Sequence, residues 1–426
     1  MKELYQLFLQ SDGVCTDSRS IQPNQLYFAL KGERFDGHNF VDEVLQKGAH
    51  YCIVDDPSYN KEKCFLVEDV LQTLQGLANH HRKELNIPII SLTGSNGKTT
   101  SKKIISQILA CKYKVTATKG NLNNHIGVPL SLLSLNQNTE IGVIEMGANH
   151  QKEIDFLCGI AAPNYGYITN FGKAHLEGFG GVEGVIKGKS ELYNYIIAHK
   201  GKLFVNSDDP IQMEKSAKGD CIYFGQQSTG VENYQIKFVD AQPTVRVLVH
   251  ETEIQTNLIG AYNFTNIASG IAIGLYFGIS LEAIKKVLEN FEPEGNRSEI
   301  ISTAKNKILL DAYNANPTSM EAAIKNFESI NETKKVLILG DMFEVGDTSM
   351  EEHQKIAQLA LDSSAKQVYL CGENFFKAVN YTDKKLKIVQ TTLQLKELLA
   401  KENIANAFIL LKGSRGMALE KVLEVL

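Results

Sequence analysis

Apolar and polar residues follow two rhythms along this chain, and the changes of rhythm outline its elements. Short apolar runs at residues 25–30 and 50–54 have strand length, and Phe40, Val41, Val44 and Leu45 between them recur at helical spacing. A helical stretch over 69–85 stops before Asn86-Ile87-Pro88, whose proline stands at the start of a strand, where a missing N–H is tolerated. Ile89-Ile90-Ser91-Leu92 is a buried-strand run, and after a Gly-rich turn Ile104, Ile105, Ile108 and Leu109 form one face of a helix over 98–110. Further strands are expected at 114–118, 141–146, 165–169 and 203–206. Between 232 and 258 the pattern turns to alternation (YQIKFVD, TVRVLVH, TEIQTNLIG), which predicts antiparallel strands near the sheet's end. Helices follow over 264–277 and 281–289.

Glu292-Pro293-Glu294-Gly295-Asn296 reads as a linker. Beyond it, strands at 307–311, 335–339, 367–371, 386–389 and 407–411 alternate with helices at 320–329, 350–361, 393–401 and 417–423. One hydrophobic core rarely grows beyond roughly 250–300 residues, so a chain of 426 residues implies two or three domains. Strands alternating with helices imply parallel sheets covered on both faces. The expectation is an α/β protein of three domains. A small α/β domain spans 1–85, a central parallel-sheet domain 86–296, and a Rossmann-like α/β domain 297–426.

Composition narrows the function classes. Hydrophobic residues at 43% and charged residues at 22% are those of a globular chain, not a disordered one. A net charge of −5 leaves no broad basic footprint, so nucleic acid is not expected as a partner. Seven dispersed cysteines without a CxxC pair argue against structural zinc and fit reduced thiols, which predicts a cytoplasmic location. The longest uncharged stretch, 254–281, is broken by Asn257, Asn263, Thr265 and Asn266, and residues 1–10 lack a signal-peptide pattern. Membrane insertion is therefore not expected.

Thr93-Gly94-Ser95-Asn96-Gly97-Lys98-Thr99-Thr100 follows a strand and opens a helix, the context a phosphate-binding loop requires. Glycines let backbone N–H groups approach phosphate oxygens, and the helix N-terminus adds positive potential. Lys98 would reach the β- and γ-phosphates of ATP, and Thr99 would place its hydroxyl on Mg²⁺. The usual GxxxxGK[ST] spacing asks for glycine where this chain has Leu92, so the loop is a variant. The central domain is accordingly read as a P-loop ATPase domain. Glu145 ends the strand of IGVIEMGANH, where sites form in parallel sheets, and is placed for a Mg²⁺ near the loop.

The form TGxNGKT resembles that of the Mur ligases, the ATP-dependent amide ligases of bacterial peptidoglycan precursor synthesis, and of their folylpolyglutamate synthetase relatives. The matches run in one order from Cys15 to Leu423. TNFGKAHLEGFGGVEGVIKGKSELY resembles the family segment with a metal-binding His and a modified Lys. The resemblance implies that His175 binds a second Mg²⁺ and that Lys189 carries a carbamate, with Lys187 as a nearby competitor. By residue chemistry alone, a His after a strand is more often structural, and a helical Lys is more often solvated.

Tyr262-Asn263-Phe264-Thr265-Asn266 stands where the family commonly has HNxxN, with Tyr262 in place of His; Asn266 is then the adenine contact. Arg297 and Asp311 are implied to touch the ATP phosphate and ribose. Asp17-Ser18-Arg19 and the stretch from Phe28 to His38 resemble a uridine-diphosphate pocket, which assigns Ser18, Arg19 and Lys31 to substrate. GNLNNHIGVP resembles a family substrate loop and assigns Asn123 and Asn124, leaving His125 without a role.

DAYNANPTSM, with GDMFEVG at 340–346 and Lys412-Gly413-Ser414-Arg415, resembles the members that join D-alanyl-D-alanine to UDP-N-acetylmuramoyl-tripeptide. Tyr313, Asn314 and Asn316 are then substrate contacts. On local chemistry alone, the same residues are a turn with Thr318 or Ser319 capping a helix. The implied reaction passes through an acyl phosphate and releases ADP and phosphate, and a monomer is expected. Two alternatives stay open. One is a family member that adds a single amino acid to the UDP-dipeptide precursor; the other is a P-loop ATPase without ligase chemistry.

Overall fold

The computed structural model describes residues 1–227, 233–293, 295 and 297–426. Glu232, at the start of the expected alternating segment, and Glu294 and Asn296 of the expected linker lie outside the described residues.

The chain has the expected α/β architecture built on parallel sheets. The N-terminal sheet runs Val14–Cys15, Leu26–Phe28, Tyr51–Val54, Cys64–Leu66, all parallel. Its cover includes helix Val70–Leu85, which starts at Asp69, where the carboxylate accepts the Gln72 N–H at 2.7 Å, and stops at left-handed Asn86. The same helix docks the unit onto the middle of the chain. Buried Arg82 donates to the Ala161 carbonyl at 3.1 Å and to Asn164 Oδ1 at 2.8 Å.

Among the described residues the central sheet has nine strands. Their order is Thr252–Ile259, Thr244–Val249, Tyr234–Ala241, Asp220–Gly225, Lys202–Asn206, Tyr165–Ile168, Ile89–Thr93, Ile141–Glu145, Val115–Ala117. The last three of the sequence pair antiparallel at one end, as their alternation predicts. Strand Asp220–Gly225 was not legible from its pattern; it joins the two halves by pairing parallel with both neighbours. Ile89–Thr93 and Ile141–Glu145 are buried throughout, which is why they read as apolar runs and not as alternation. These two strands lie side by side, so their carboxyl ends deliver the phosphate loop and Glu145 to one place.

The C-terminal sheet runs Glu299–Ser302, Lys307–Asp311, Phe408–Lys412, Lys335–Gly340, Gln367–Cys371, Leu386–Val389, with the first strand antiparallel and the rest parallel. Helix Pro317–Ser329 starts three residues earlier than its apolar pattern suggests. Asn316, not Thr318 or Ser319, is its N-cap: Asn316 and Ser319 form a reciprocal capping box, and Pro317 occupies the first turn, where no N–H is needed. The segment expected as a helix at 417–423 is a run of 3₁₀ turns over Leu419–Val425.

Candidate active site

Strand Ile89–Thr93 ends in the phosphate loop, and helix Lys98–Leu109 begins at Gly97. Gly97 has a φ of +80°, and a Cβ there would stand 2.3 Å from Asn266 Oδ1. Gly94 has a φ of +139°, and its Cβ would stand 2.0 Å from Thr169 Oγ1. Both positions therefore require glycine twice over, for conformation and for space. The loop is braced by the segment after strand Tyr165–Ile168. Thr169 Oγ1 donates to the Asn96 carbonyl at 2.6 Å, Asn96 N–H donates to Asn170 Oδ1 at 3.2 Å, and Ser95 Oγ donates to the Gly172 carbonyl at 2.6 Å. Lys98 curls back onto the loop, its Nζ 2.7 Å from the Gly94 carbonyl. Burial pushes the Lys98 ammonium below its usual range; Glu145 opposes the shift and Arg297 adds to it. A cation held short of full hydration at a helix N-terminus is a site for phosphate.

Glu145 is 1% exposed and gathers the next layer. Its Oε1 accepts from Thr99 Oγ1 at 3.3 Å and from Asn123 Nδ2 at 2.8 Å, and its Oε2 is ion-paired with Lys102 Nζ at 3.0 Å. Thr99, in the first turn of the loop's helix, and Glu145, at the end of the neighbouring strand, thus converge, and both offer oxygen, the donor type Mg²⁺ selects.

His175 and Lys189 both lie within electrostatic reach of Lys98. His175 has a φ of +53° and begins helix Leu176–Phe179; its Nδ1 is bonded to Glu344 of the C-terminal sheet's loop. Burial lowers its pKa, Lys98 and Lys189 push the same way, and Glu344 opposes them. Lys189 is fully buried in helix Val182–Ala198. Its Nζ donates to the Ala148 carbonyl at 3.0 Å and stands 4.8 Å over the Phe179 ring. Burial first, and then the charge of Lys98, holds this amine well below the usual lysine range, against Glu153 and Glu191.

The C-terminal unit closes the site. Asn316 Nδ2 donates to Asn96 Oδ1 at 2.8 Å, Thr318 Oγ1 accepts the Lys173 N–H at 2.9 Å, and Lys173 Nζ pairs with Glu352 at 2.7 Å. Arg297 stacks on Tyr313, its guanidinium carbon 3.6 Å from the ring centre. Asp311 Oδ2 pairs with buried Lys412 Nζ at 2.5 Å. One cavity of about 600 Å³ is lined by the loop from Ser95 to Thr100, by Asn123, Asn124, Glu145 and His175, and by Asn266, Arg297, Asp311, Tyr313 and Asn314.

Other expected residues stand apart from that cavity or line it with their polar groups already engaged. Lys189 reaches it through Ala148, a lining residue, and Asn316 through Asn96. Asn266 lines it, but its amide is engaged: Oδ1 accepts from Ser101 Oγ at 2.9 Å and Nδ2 donates to Asn263 Oδ1 at 2.8 Å. Ser18, Arg19 and Lys31 lie in the N-terminal unit and do not line it. Arg19 is bidentate on Asp17 at 2.9 and 2.7 Å, Lys31 stands 3.3 Å from Asp36, and Ser18 is buried with its carbonyl accepting from Lys47.

Three family models match the chain: the Mur ligase family catalytic domain over residues 10–91, the Mur ligase middle domain over 92–274, and the Mur ligase glutamate ligase domain over 296–415. The UDP-N-acetylmuramoyl-tripeptide–D-alanyl-D-alanine ligase of Bacillus subtilis is 37% identical over 97% of this chain and 92% of its own. The chain belongs to the Mur ligase family. MurF from Acinetobacter baumannii shares the fold at a TM-score of 0.86, with 31% identity over 98% of this chain and 97% of that one. MurF from Thermotoga maritima, solved in complex with ADP, also has a TM-score of 0.86, with 26% identity over 98% of this chain and 97% of that one.

Three residues of this Mur ligase were not singled out from the sequence. Lys102, on the loop's helix, neutralises Glu145; Glu344 reaches His175 from another sheet; Lys412 holds Asp311. For Lys102 a signal existed, since it stands among Ser101, Ile104 and Ile105 at buried helical positions. Glu344 and Lys412 lay in segments noted only for their resemblance, and no local pattern connects them to residues some 100 or more positions away.

Proposed function

We propose that this chain is the ATP-dependent ligase that joins D-alanyl-D-alanine to UDP-N-acetylmuramoyl-tripeptide in peptidoglycan precursor synthesis. The observation that carries the reading is one cavity lined by a phosphate loop, a buried strand-end carboxylate, a substrate-type Asn pair and a third-unit Arg and Asp. The identity to the Bacillus subtilis ligase supplies the substrates.

ATP lies with its phosphates on the loop from Gly94 to Thr100, its ribose at Asp311 and its adenine toward Asn266. Lys98 and Arg297 hold the phosphates. Asn123 and Asn124 hold the peptide end of the nucleotide substrate, whose diphosphate Ser18, Arg19 and Lys31 bind. Tyr313, Asn314 and Asn316 order the third unit against it. The tripeptide carboxylate attacks the γ-phosphorus, the bond to the β–γ bridging oxygen breaks, and ADP leaves. The dipeptide amine then adds to the carbonyl of the acyl phosphate, loses a proton to solvent, and expels inorganic phosphate. Positioning and charge neutralisation carry both steps.

Thr99 and Glu145 fit one Mg²⁺ by their oxygen donors, and His175 with the carbamate of Lys189 would hold a second. Bound Mg²⁺ supplies charge neutralisation at the phosphate oxygens. Burial lowers the basicity of Lys189, which favours the neutral amine that CO₂ requires. Among the described residues no helix is long and apolar enough to cross a membrane. The use of ATP and a UDP-linked precursor supports a cytoplasmic location.

The test is phosphate release by the purified chain with ATP and Mg²⁺. Release that needs both the UDP-tripeptide and D-alanyl-D-alanine, with a product of the summed mass less water, is expected. Release with ATP alone, or with a single amino acid and the UDP-dipeptide, overturns the reading.

A further inference from the structure

Tyr262 stands where the family commonly has His, and the ligase reading gives it no role. It belongs to the 3₁₀ turn Ala261–Asn263, which leads from strand Thr252–Ile259 into helix Phe264–Tyr276. Its ring folds back over Gly260. That glycine has a φ of +95°, and a Cβ there would stand 2.4 Å from Tyr262 Cε1, so the fold-back requires glycine. The Tyr262 hydroxyl leaves the turn and is hydrogen-bonded to Ser298 Oγ at 2.6 Å. Asn326 of helix Pro317–Ser329 holds the same turn from the C-terminal unit, its Oδ1 accepting the Ala261 N–H at 3.3 Å.

Ser298 is buried and has a φ of +54°, a left-handed conformation that a residue with a Cβ adopts only at a cost. It directly follows Arg297 and precedes strand Glu299–Ser302, where the chain enters the C-terminal sheet. The Arg297 guanidinium lies on the face of Tyr313, its carbon 3.6 Å from the ring centre. A stack sets the plane of a guanidinium but lets it slide across the ring. Its place along the ring is set by the backbone that carries it, and that backbone is tied at the next residue by Tyr262. Tyr262, Arg297 and Ser298 all line the cavity of the phosphate loop. Arg297 is near enough to Lys98 for its charge to lower the basicity of that amine.

We propose that Tyr262 is a positioning residue for Arg297. Its hydroxyl holds Ser298 in the left-handed turn, and the turn aims the guanidinium at the phosphates of ATP. Tyr262 thus acts on the phosphate end of the nucleotide and not on its base. The assignment rests on the reading of ATP at this site and adds what holds the phosphate clasp in place. It also gives a physical reason for Tyr over His. A phenol carries its oxygen farther from the backbone than an imidazole carries its far nitrogen, and Ser298 lies at the reach of the phenol.

The experiment measures ATP binding by calorimetry, beside steady-state kinetics, on full chains: wild type, Tyr262→Phe, Ser298→Ala, Arg297→Met and their pairwise combinations. Tyr262→Phe removes only the hydroxyl. It weakens ATP binding and raises KM for ATP about three- to tenfold, the loss of one hydrogen bond, while kcat at saturating ATP stays within about twofold. Ser298→Ala does the same, and the combination with Tyr262→Phe is no weaker than either alone. In the Arg297→Met background, Tyr262→Phe changes nothing further. Purine riboside triphosphate, which lacks the 6-amino group of ATP, weakens by the same factor as ATP in each variant. A Tyr262→Phe enzyme that binds ATP as wild type does overturns the assignment. So does a loss that adds to that of Arg297→Met, or a changed preference between the two triphosphates, which would put Tyr262 on the base. Should Tyr262→Phe lower Tm, Ser298→Ala carries the same test from the other partner, and dependence on Arg297 is an effect that lost stability does not produce. A wild type that binds no ATP instead marks failure of the ATP reading itself.

Discussion

Lys189→Met separates the packing role of Lys189 from its chemistry. Both side chains are unbranched and similar in volume, so a fully buried site accepts the exchange at under about 1.5 kcal/mol. The hydrogen bond from Nζ to the Ala148 carbonyl at 3.0 Å is lost, at a cost of about 1 kcal/mol. Removing a polar group from an apolar setting beside Phe179 works in the opposite direction. The net change stays under about 1.5 kcal/mol, a shift in Tm of under about 6 °C for a unit of this size. Activity follows a different scale. A fixed electrostatic group at a reacting phosphate is worth about 10²–10³ in kcat, so the variant loses at least about a hundredfold. The assay is initial-rate phosphate release at saturating substrates beside a thermal scan, with ¹³C-bicarbonate labelling to detect a carbamate carbon in wild type. Short-chain carboxylates restore part of the activity of Lys189→Ala, where the truncated side chain leaves room. A Lys189→Met enzyme with full kcat and Tm refutes the carbamate.

Three further outcomes are expected. Gly97→Ala forces a φ of +80° on a residue with a Cβ that stands 2.3 Å from Asn266 Oδ1, so ATP affinity falls at least about tenfold by calorimetry; unchanged binding would show that the loop relaxes at no cost. Asp311→Asn keeps an acceptor for buried Lys412, whereas Asp311→Ala strands that charge at a cost of about 3–5 kcal/mol; the Asn variant is therefore the clean test, and it raises KM for ATP more than KM for the dipeptide. His81 is buried, accepts from Tyr5 and donates to the Leu135 carbonyl, and burial holds its pKa below the ordinary value. The unfolded chain takes up the proton first, so stability is full above about pH 6.5 and declines as pH falls, by at most about 1.4 kcal/mol per unit. Urea midpoints between pH 7 and 5 fall in wild type and less steeply in His81→Gln; equal slopes exclude the desolvated neutral imidazole.

The sequence by itself determined the elements and the phosphate loop, because both are local. Apolar runs mark strands such as Ile89–Thr93 that are covered on both faces, and a strand–glycine–lysine–helix order is written in consecutive residues. The same locality explains its errors. Pro317 carried no apolar signal, so the helix start was misplaced until the Asn316 cap was seen, and strand Asp220–Gly225 needed its two neighbours to be recognised.

Only the tertiary structure decided what the site residues touch. Glu145 meets Lys102 because two parallel strands stand side by side, and His175 meets Glu344 because the C-terminal unit docks beside the loop. Whether Lys189 is a solvated helical lysine or a buried amine of low basicity depended on Phe179 and Ala148, which pack on it from other segments. Burial and charge are sums over neighbours in space, and the linear order of residues does not carry them.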